Sequence, residues 1–269
     1  MEKKSDNTSL RGLVVAVLAL AVLVVGAVFI LPHIDKKPAE SGSAAEPVDN
    51  SAEVTEPTEK PNKHIIENVN VLPQQDLKAG CETYACTMLL QTLGFDIDEF
   101  RFAEDYLDVH WVYYGDDGLR YGPDMYSAQA GDVYTGWGIY APAMAKCMNR
   151  YLKDTGSSMT ATAYEGVPLT TLCDKYINND IPVMVWATTW MMEPYEKDSW
   201  IVNYVDENAK YEIGDTFTWL QNEHCLVLIG YDEENYYFAD SCAGEVSVFE
   251  RGLVEERYEQ LYSQCIVVE

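Results

Sequence analysis

Apolar and polar positions divide this chain into three stretches. Residues 12–32 carry no charged or strongly polar side chain. At about 1.5 Å per residue, such a run covers the roughly 30 Å hydrocarbon layer of a bilayer. Residues 35–63 invert the pattern: Pro, Glu, Ala, Ser and Lys dominate, and large apolar side chains are almost absent. That composition cannot bury enough surface to order itself and predicts an extended tether. From residue 65 onward the periodicities are those of a folded domain. Residues 65–71 alternate loosely, as an entering strand does. A helix begins at Cys81, with Ala85, Met88, Leu89 and Thr92 on one face and Leu90 and Leu93 widening it. Gly94 stands where a left-handed residue ends a helix. Further helices are predicted over 96–107, over 142–153 with Pro at its start, over 170–179 capped by Thr170 or Thr171, and over 254–262. The run 181–187 reads as a buried strand and 224–231 as a strong one. A turn at 232–235 leads into a strand over 236–240, and short strands are expected at 216–219, 246–249 and 265–268. Helices first and antiparallel strands later make an α+β domain.

Flanking charge orients the first stretch. Lys3, Lys4 and Arg11 precede it, and His33, Lys36 and Lys37 follow. The positive-inside bias is weak, and the free amine tips it toward an internal amino terminus. The run is longer than a signal-peptide core and lacks an A-x-A cleavage site. The expectation is a cytoplasmic tail (1–11), an uncleaved single-pass signal anchor (12–32), a flexible linker (33–64) and an extracytoplasmic domain at the cell membrane (65–269). A cleaved export signal is the alternative.

The formal charge of the 269-residue chain is −26. Residues 65–269 hold 35 acidic and 11 basic side chains, hence −24. Such a domain does not favour nucleic acid or anionic lipid. Seven cysteines are present, without CxxC spacing, so no structural zinc site is expected. Six could pair outside a cell, but a core of this size needs no staples, and mostly reduced thiols are expected. Asp116-Asp117-Gly118 does not match the alternating ligands of a calcium loop. No metal and no cofactor are expected.

Cys81 opens a helix, where partial positive charge and free amide donors favour a thiolate. It is equally well read as a small buried hydrophobe. Gln75, six residues upstream, could offer an amide to an oxyanion beside the Cys81 backbone N–H. Of the four histidines, His33 abuts the apolar run, His64 ends the tether and His110 lies among aromatics. His224 starts the strongest strand, at a sheet edge. Asp240, at the end of the next strand, could orient its imidazole. Register provides a test. A two- or four-residue loop centred on residues 233–234 would aim His224 and Asp240 at opposite faces, so the pair needs an odd loop or a bulge. The aromatic, glycine-rich stretch 109–140 suits a cleft wall, with Trp137, Tyr140 and the strand residue Trp186 as candidate substrate contacts. A loop packed by its own aromatics is the other reading.

Several pieces, in order, resemble the C39-like peptidases. They are Gln75…Gly80-Cys81-Glu82 entering a Met-Leu-Leu helix, Tyr121-Gly122-Pro123, residues 136–142, Ile181-Pro182-Val183-Met184-Val185-Trp186, Trp219, His224 to Asp232, and Asp240. Ser241 stands where the family usually has Pro, and Cys225 where it often has a small or apolar residue. The resemblance implies a papain-like fold, with a helical part carrying the cysteine helix packed on an antiparallel sheet. It implies Cys81 as nucleophile, His224 as base, Asp240 as orienting residue and Gln75 as oxyanion donor, acting on peptide or protein substrates. An amidase on cell-wall peptides and a silent peptide- or wall-binding module are the competing readings. No Walker loop accompanies these motifs, so the transporter branch is not indicated.

Overall fold

The computed structural model describes residues 61–269. The segment expected to be an anchor and most of the tether lie outside these residues. Among the described residues no helix is long and apolar enough to cross a membrane.

The domain is α+β. In chain order the elements are β1 (His64–Ile65), α1 (Cys81–Thr92), α2 (Glu99–Asp105), β2 (Val109–His110), β3 (Tyr113–Tyr114), β4 (Arg120–Pro123), β5 (Gln129–Ala130), α3 (Ala141–Asp154), β6 (Ala161–Tyr164), α4 (Leu169–Lys175), β7 (Val183–Thr188), β8 (Tyr195–Tyr204), β9 (Thr216–Gln221), β10 (Glu223–Tyr231), β11 (Asn235–Asp240), β12 (Glu245–Glu250), α5 (Arg251–Gln260) and β13 (Cys265–Val268). The main sheet is antiparallel and runs β12-β11-β10-β7-β13-β6, with β1 paired to the far end of β10. A smaller sheet, β3-β4-β8-β9, joins β4 and β8 in parallel.

Helix α1 packs on β10 and β7. Residues 82–90 are all buried, so α1 is a core helix rather than a surface one with a single apolar stripe. Tyr84, Met88, Leu89 and Leu90 are essentially inaccessible. Each contributes about 1.5–3 kcal/mol of transfer free energy. Gly94, at φ +90°, ends the helix in the left-handed conformation expected of it, and its N–H caps the Gln91 carbonyl at 2.9 Å.

Several boundaries differ from those read in the sequence. The entering strand shrinks to His64–Ile65. The helix expected over 96–107 runs only from Glu99 to Asp105, because Asp98 caps it through the Arg101 N–H. Pro168, not a threonine, precedes α4, which places Thr170 and Thr171 inside the first turn. Strands β6 and β8 carry no clear period-2 signal and were not expected.

The β10–β11 hairpin sets the geometry of the site. Tyr231 pairs with Tyr236, and the Asp232 N–H meets the Asn235 carbonyl at 2.9 Å, so the loop is even. A bulge between Leu228 and Gly230 then shifts the register, pairing Leu228 with Phe238 and Val227 with Ala239. That one-residue shift turns His224 and Asp240 to the same face.

Candidate active site

His224 and Asp240 meet at 2.9 Å (Nε2 to Oδ1), each 1% exposed. The carboxylate is fully engaged: Oδ2 accepts from Ser247 Oγ at 2.8 Å and Oδ1 from the Cys242 N–H at 3.0 Å. Burial works against the charged Asp240, yet His224, Ser247 and the Cys242 amide hold its carboxyl below the ordinary range. For His224, burial is again the largest influence and opposes charge. Asp240, with the Cys242 sulfur behind it, outweighs burial and lifts the imidazole to about 9. The other ring nitrogen, Nδ1, lies 3.8 Å from Cys242 Sγ.

Cys81 opens α1 behind Gly80, where an added Cβ would crowd Leu77 at 2.9 Å. Its thiol donates to Glu82 Oε2 at 3.2 Å. Burial pushes the thiol well up, and the carboxyls of Glu82 and Glu223 push it further; the Cys225 N–H works the other way. The helix start alone favours a thiolate, but these neighbours overrule it.

Glu82 and Glu223 are 1% and 8% exposed and hydrogen-bond to each other. The Ile139 N–H donates to Glu82 Oε1 at 3.0 Å. Burial raises both carboxyls, and for Glu223 the charge of Glu82 adds to it. Like charges this close hold one proton between them. Gly138 makes room for the pair: at φ +145°, a Cβ there would run into Glu82 Oε1 and sit 3.1 Å from Glu223 Oε2.

Two clusters therefore abut across the start of β10. Side chains alternate along a strand. Glu223 and the Cys225 amide meet Glu82 and Cys81, while His224, between them, turns to Asp240 and Cys242. Ligand atoms of His224, Asp240 and Cys242 lie within 4.8 Å of one another, as do those of Cys81, Glu82 and Glu223. His224 spends both ring nitrogens inside its own cluster.

The glutamine that reaches this site is Gln74. Its N–H pairs with the Ser241 carbonyl at 2.8 Å, which turns its side chain inward. Oε1 accepts from Ser241 Oγ at 3.1 Å and lies 3.7 Å from Cys242 Sγ, while Nε2 donates to the Leu77 carbonyl at 2.8 Å. Gln75, the expected oxyanion donor, is exposed. Extended backbone sends neighbouring side chains to opposite sides.

The aromatic assignments change as well. Tyr140 and Trp186 are wholly buried, and Trp186 Nε1 donates to the Ile139 carbonyl at 3.1 Å. Both are core wedges that pack the segment holding Glu82, not rings offered to a substrate. Trp137 is half-buried, donates to Asp198 Oδ2 at 3.0 Å and lies under Arg120. The exposed aromatics of that stretch are Trp111, Tyr113, Tyr114 and Tyr134. His110 stacks on Tyr204 at 3.5 Å, a packing role. The residues missed in the sequence are Glu82, Glu223 and Cys242. Two are chain neighbours of Cys81 and His224, and the third lies two beyond Asp240.

Comparison with known proteins agrees with this fold. A model of the peptidase C39-like family matches residues 66–266. The chain is 23% identical over 231 residues to the uncharacterised protein YvpB of Bacillus subtilis (strain 168), covering 85% of this chain and 84% of that protein. A crystal structure from Bacillus anthracis, described as a candidate C39-like peptidase, superposes with a TM-score of 0.62 and 25% identity. It covers 78% of this chain and 98% of its own.

Proposed function

The chain belongs to the peptidase C39-like family, and from that premise we propose that it is a thiol peptidase with Cys81 as nucleophile. The observation that carries the reading is the sealed His224–Asp240 pair, one strand position from the amide that touches the Cys81 sulfur. In the reaction, Cys81 leaves Glu82 and swings round the start of β10 toward His224 Nδ1. The neutral form of the imidazole, the minor one below about pH 9, takes the thiol proton, and the sulfur attacks a peptide carbonyl. The Cys81 N–H and the amide of Gln74, once it releases Leu77, meet the oxyanion. His224 returns the proton to the leaving amine, and water hydrolyses the thioester. Asp240 holds the ring through Nε2, so Nδ1 is the nitrogen that acts once it parts from the Cys242 sulfur.

The substrate is a peptide, including cell-wall peptide. The domain acts outside the membrane, tethered through residues 12–32. The test is hydrolysis of a peptide library together with labelling by thiol-directed acyl probes. Cys81→Ala abolishes hydrolysis and the label mapped to residue 81. If hydrolysis survives that substitution, the assignment falls.

One observation favours a second reading, a catalytically silent peptide-binding module. Burial and two carboxyls hold Cys81 as a thiol and give it Glu82 as partner. In that case the library binds but is not cut, and Cys81 labels no faster than Cys86 or Cys147, both buried.

A further inference from the structure

All seven cysteines are free, and Cys242 is the exposed one. It sits in the turn after β11, closed by the Gly244 N–H on the Asp240 carbonyl at 2.9 Å. Two side chains flank its sulfur. His224 Nδ1 lies at 3.8 Å and Gln74 Oε1 at 3.7 Å, and the backbone of Cys242 is itself bound to Asp240. Nucleophile, imidazole and orienting carboxylate are the parts of an activated thiol. Here they assemble on Cys242, while Cys81 faces a pair of carboxyls. His224 is 1% exposed, and the residue against its Nδ1, Cys242, is exposed.

The geometry points to Cys242 as a peroxide-sensitive modification site that controls whether His224 can serve the proposed thiol chemistry. The oxidant is a hydroperoxide, with hydrogen peroxide as the simplest case. The Cys242 sulfur attacks one peroxide oxygen, forming an S–O bond as the O–O bond breaks. Sulfur supplies the two electrons. The imidazolium N–H faces the place where charge develops and hands a proton to the departing oxygen, which leaves as water or alcohol. The ring then holds the former thiol proton, so one thiol and one hydroperoxide yield one sulfenic acid and one water or alcohol. A small thiol reverses the change: one equivalent condenses with the sulfenic acid and releases water, and a second reduces the mixed disulfide. The S–OH group beside Nδ1 occupies the position that the Cys81 sulfur must reach. This control rests on the peptidase reading; the modification itself does not.

The experiment uses the full-length protein in detergent micelles, hydrogen peroxide and a sulfenic-acid-trapping dione, with adducts mapped by mass spectrometry. Cys242 is expected to trap at least tenfold faster than any other cysteine. Peptide hydrolysis, where present, is lost with peroxide and restored by dithiothreitol. Cys242→Ser, compared with its own untreated rate, loses no hydrolysis at the same peroxide dose. Even trapping across the seven thiols, trapping first at Cys81, or an equally peroxide-sensitive Cys242→Ser overturns the proposal. A protein that cleaves no peptide but traps selectively at Cys242 retains the modification site and loses the peptidase reading. One that cleaves peptides but does not trap at Cys242 does the reverse.

Discussion

Glu82 and Glu223 set the chemistry of Cys81 more strongly than the helix it opens. Both carboxyls are raised in the fold, so the folded protein keeps protons that the unfolded chain releases above about pH 4.3. Stability conferred by the pair therefore falls as pH climbs from there toward the raised values. Glu223→Gln keeps the shape and the bond to Glu82 without the second charge. Its urea midpoint should match the parent near pH 4 and exceed it increasingly toward pH 8, and alkylation of Cys81 should become faster at neutral pH. Coincident urea midpoints across that range would refute the shared proton. The His224–Asp240 pair carries the opposite signs. The His224 contribution is complete below about pH 6.5 and is lost as pH rises through about 9; the Asp240 contribution is present above about pH 3.9 and is lost as pH falls through its lowered value. Asp240→Ala leaves a buried imidazolium unpaired and should cost about 3–5 kcal/mol near pH 6. The cost should shrink toward pH 10, as read from urea denaturation at each pH. The His224–Asp240 pair was legible because its residue types and their places on neighbouring strands carry chemistry. Glu82 and Glu223 were not, since nothing local says that their carboxyls meet across the core.

At the level of elements, the hairpin shows where sequence reasoning stops. The turn at 232–235 and both strands are plain in the pattern, and an even loop alone separates His224 from Asp240. What reunites them is the bulge, and it is pinned from far away. The Ile66 N–H binds the Ile229 carbonyl at 2.8 Å, and β1 lies so close that a Cβ on Gly230 would stand 2.8 Å from the His64 carbonyl. A contact some 160 residues distant along the chain leaves no local periodicity. Gly230→Ala should therefore displace β1 at a cost of about 1–3 kcal/mol. It should also lower the His224 pKa from about 9, a drop that histidine NMR titration reads directly. An unchanged titration would mean that the bulge does not depend on β1. Strand β8 was illegible for a related reason. Its polar, half-exposed residues are held by β4 and β9 rather than by their own burial. Trp186 illustrates the reverse error: an aromatic in a Pro-Val-x-Val-Trp strand looks like a cleft wall but fastens β7 to Ile139. Trp186→Phe leaves that buried carbonyl without its donor and should cost about 1–3 kcal/mol while leaving KM unchanged. A raised KM at constant stability would restore Trp186 to the cleft.

Across the whole molecule, the described domain carries its own core and a large negative charge. The fold class was readable because alternating and helical runs survive in bulk. Of the smaller sheet only β9 was readable, at 216–219: β3 and β4 are two and four residues long, and the β4–β8 pairing is parallel and non-local. Charge was readable outright, and it makes a prediction independent of any one contact. With 35 acidic and 11 basic side chains over residues 65–269, the field around the proposed site attracts cations and repels anions before any contact forms. Two cleavable peptides that differ only in flanking Lys or Glu should therefore differ in kcat/KM by about tenfold or more at low ionic strength. The screening length falls from about 30 Å at 0.01 M salt to about 8 Å at 0.15 M. The ratio should shrink toward unity over that range, and the change should come from the Glu peptide speeding up as well as the Lys peptide slowing. Local recognition of lysine by one carboxylate in van der Waals contact would behave differently, because a desolvated pair is screened far less and the ratio would persist in salt. Steady-state kinetics on the two peptides at four or five salt concentrations separates the cases. A ratio independent of salt assigns the preference to a pocket rather than to the charge of the domain.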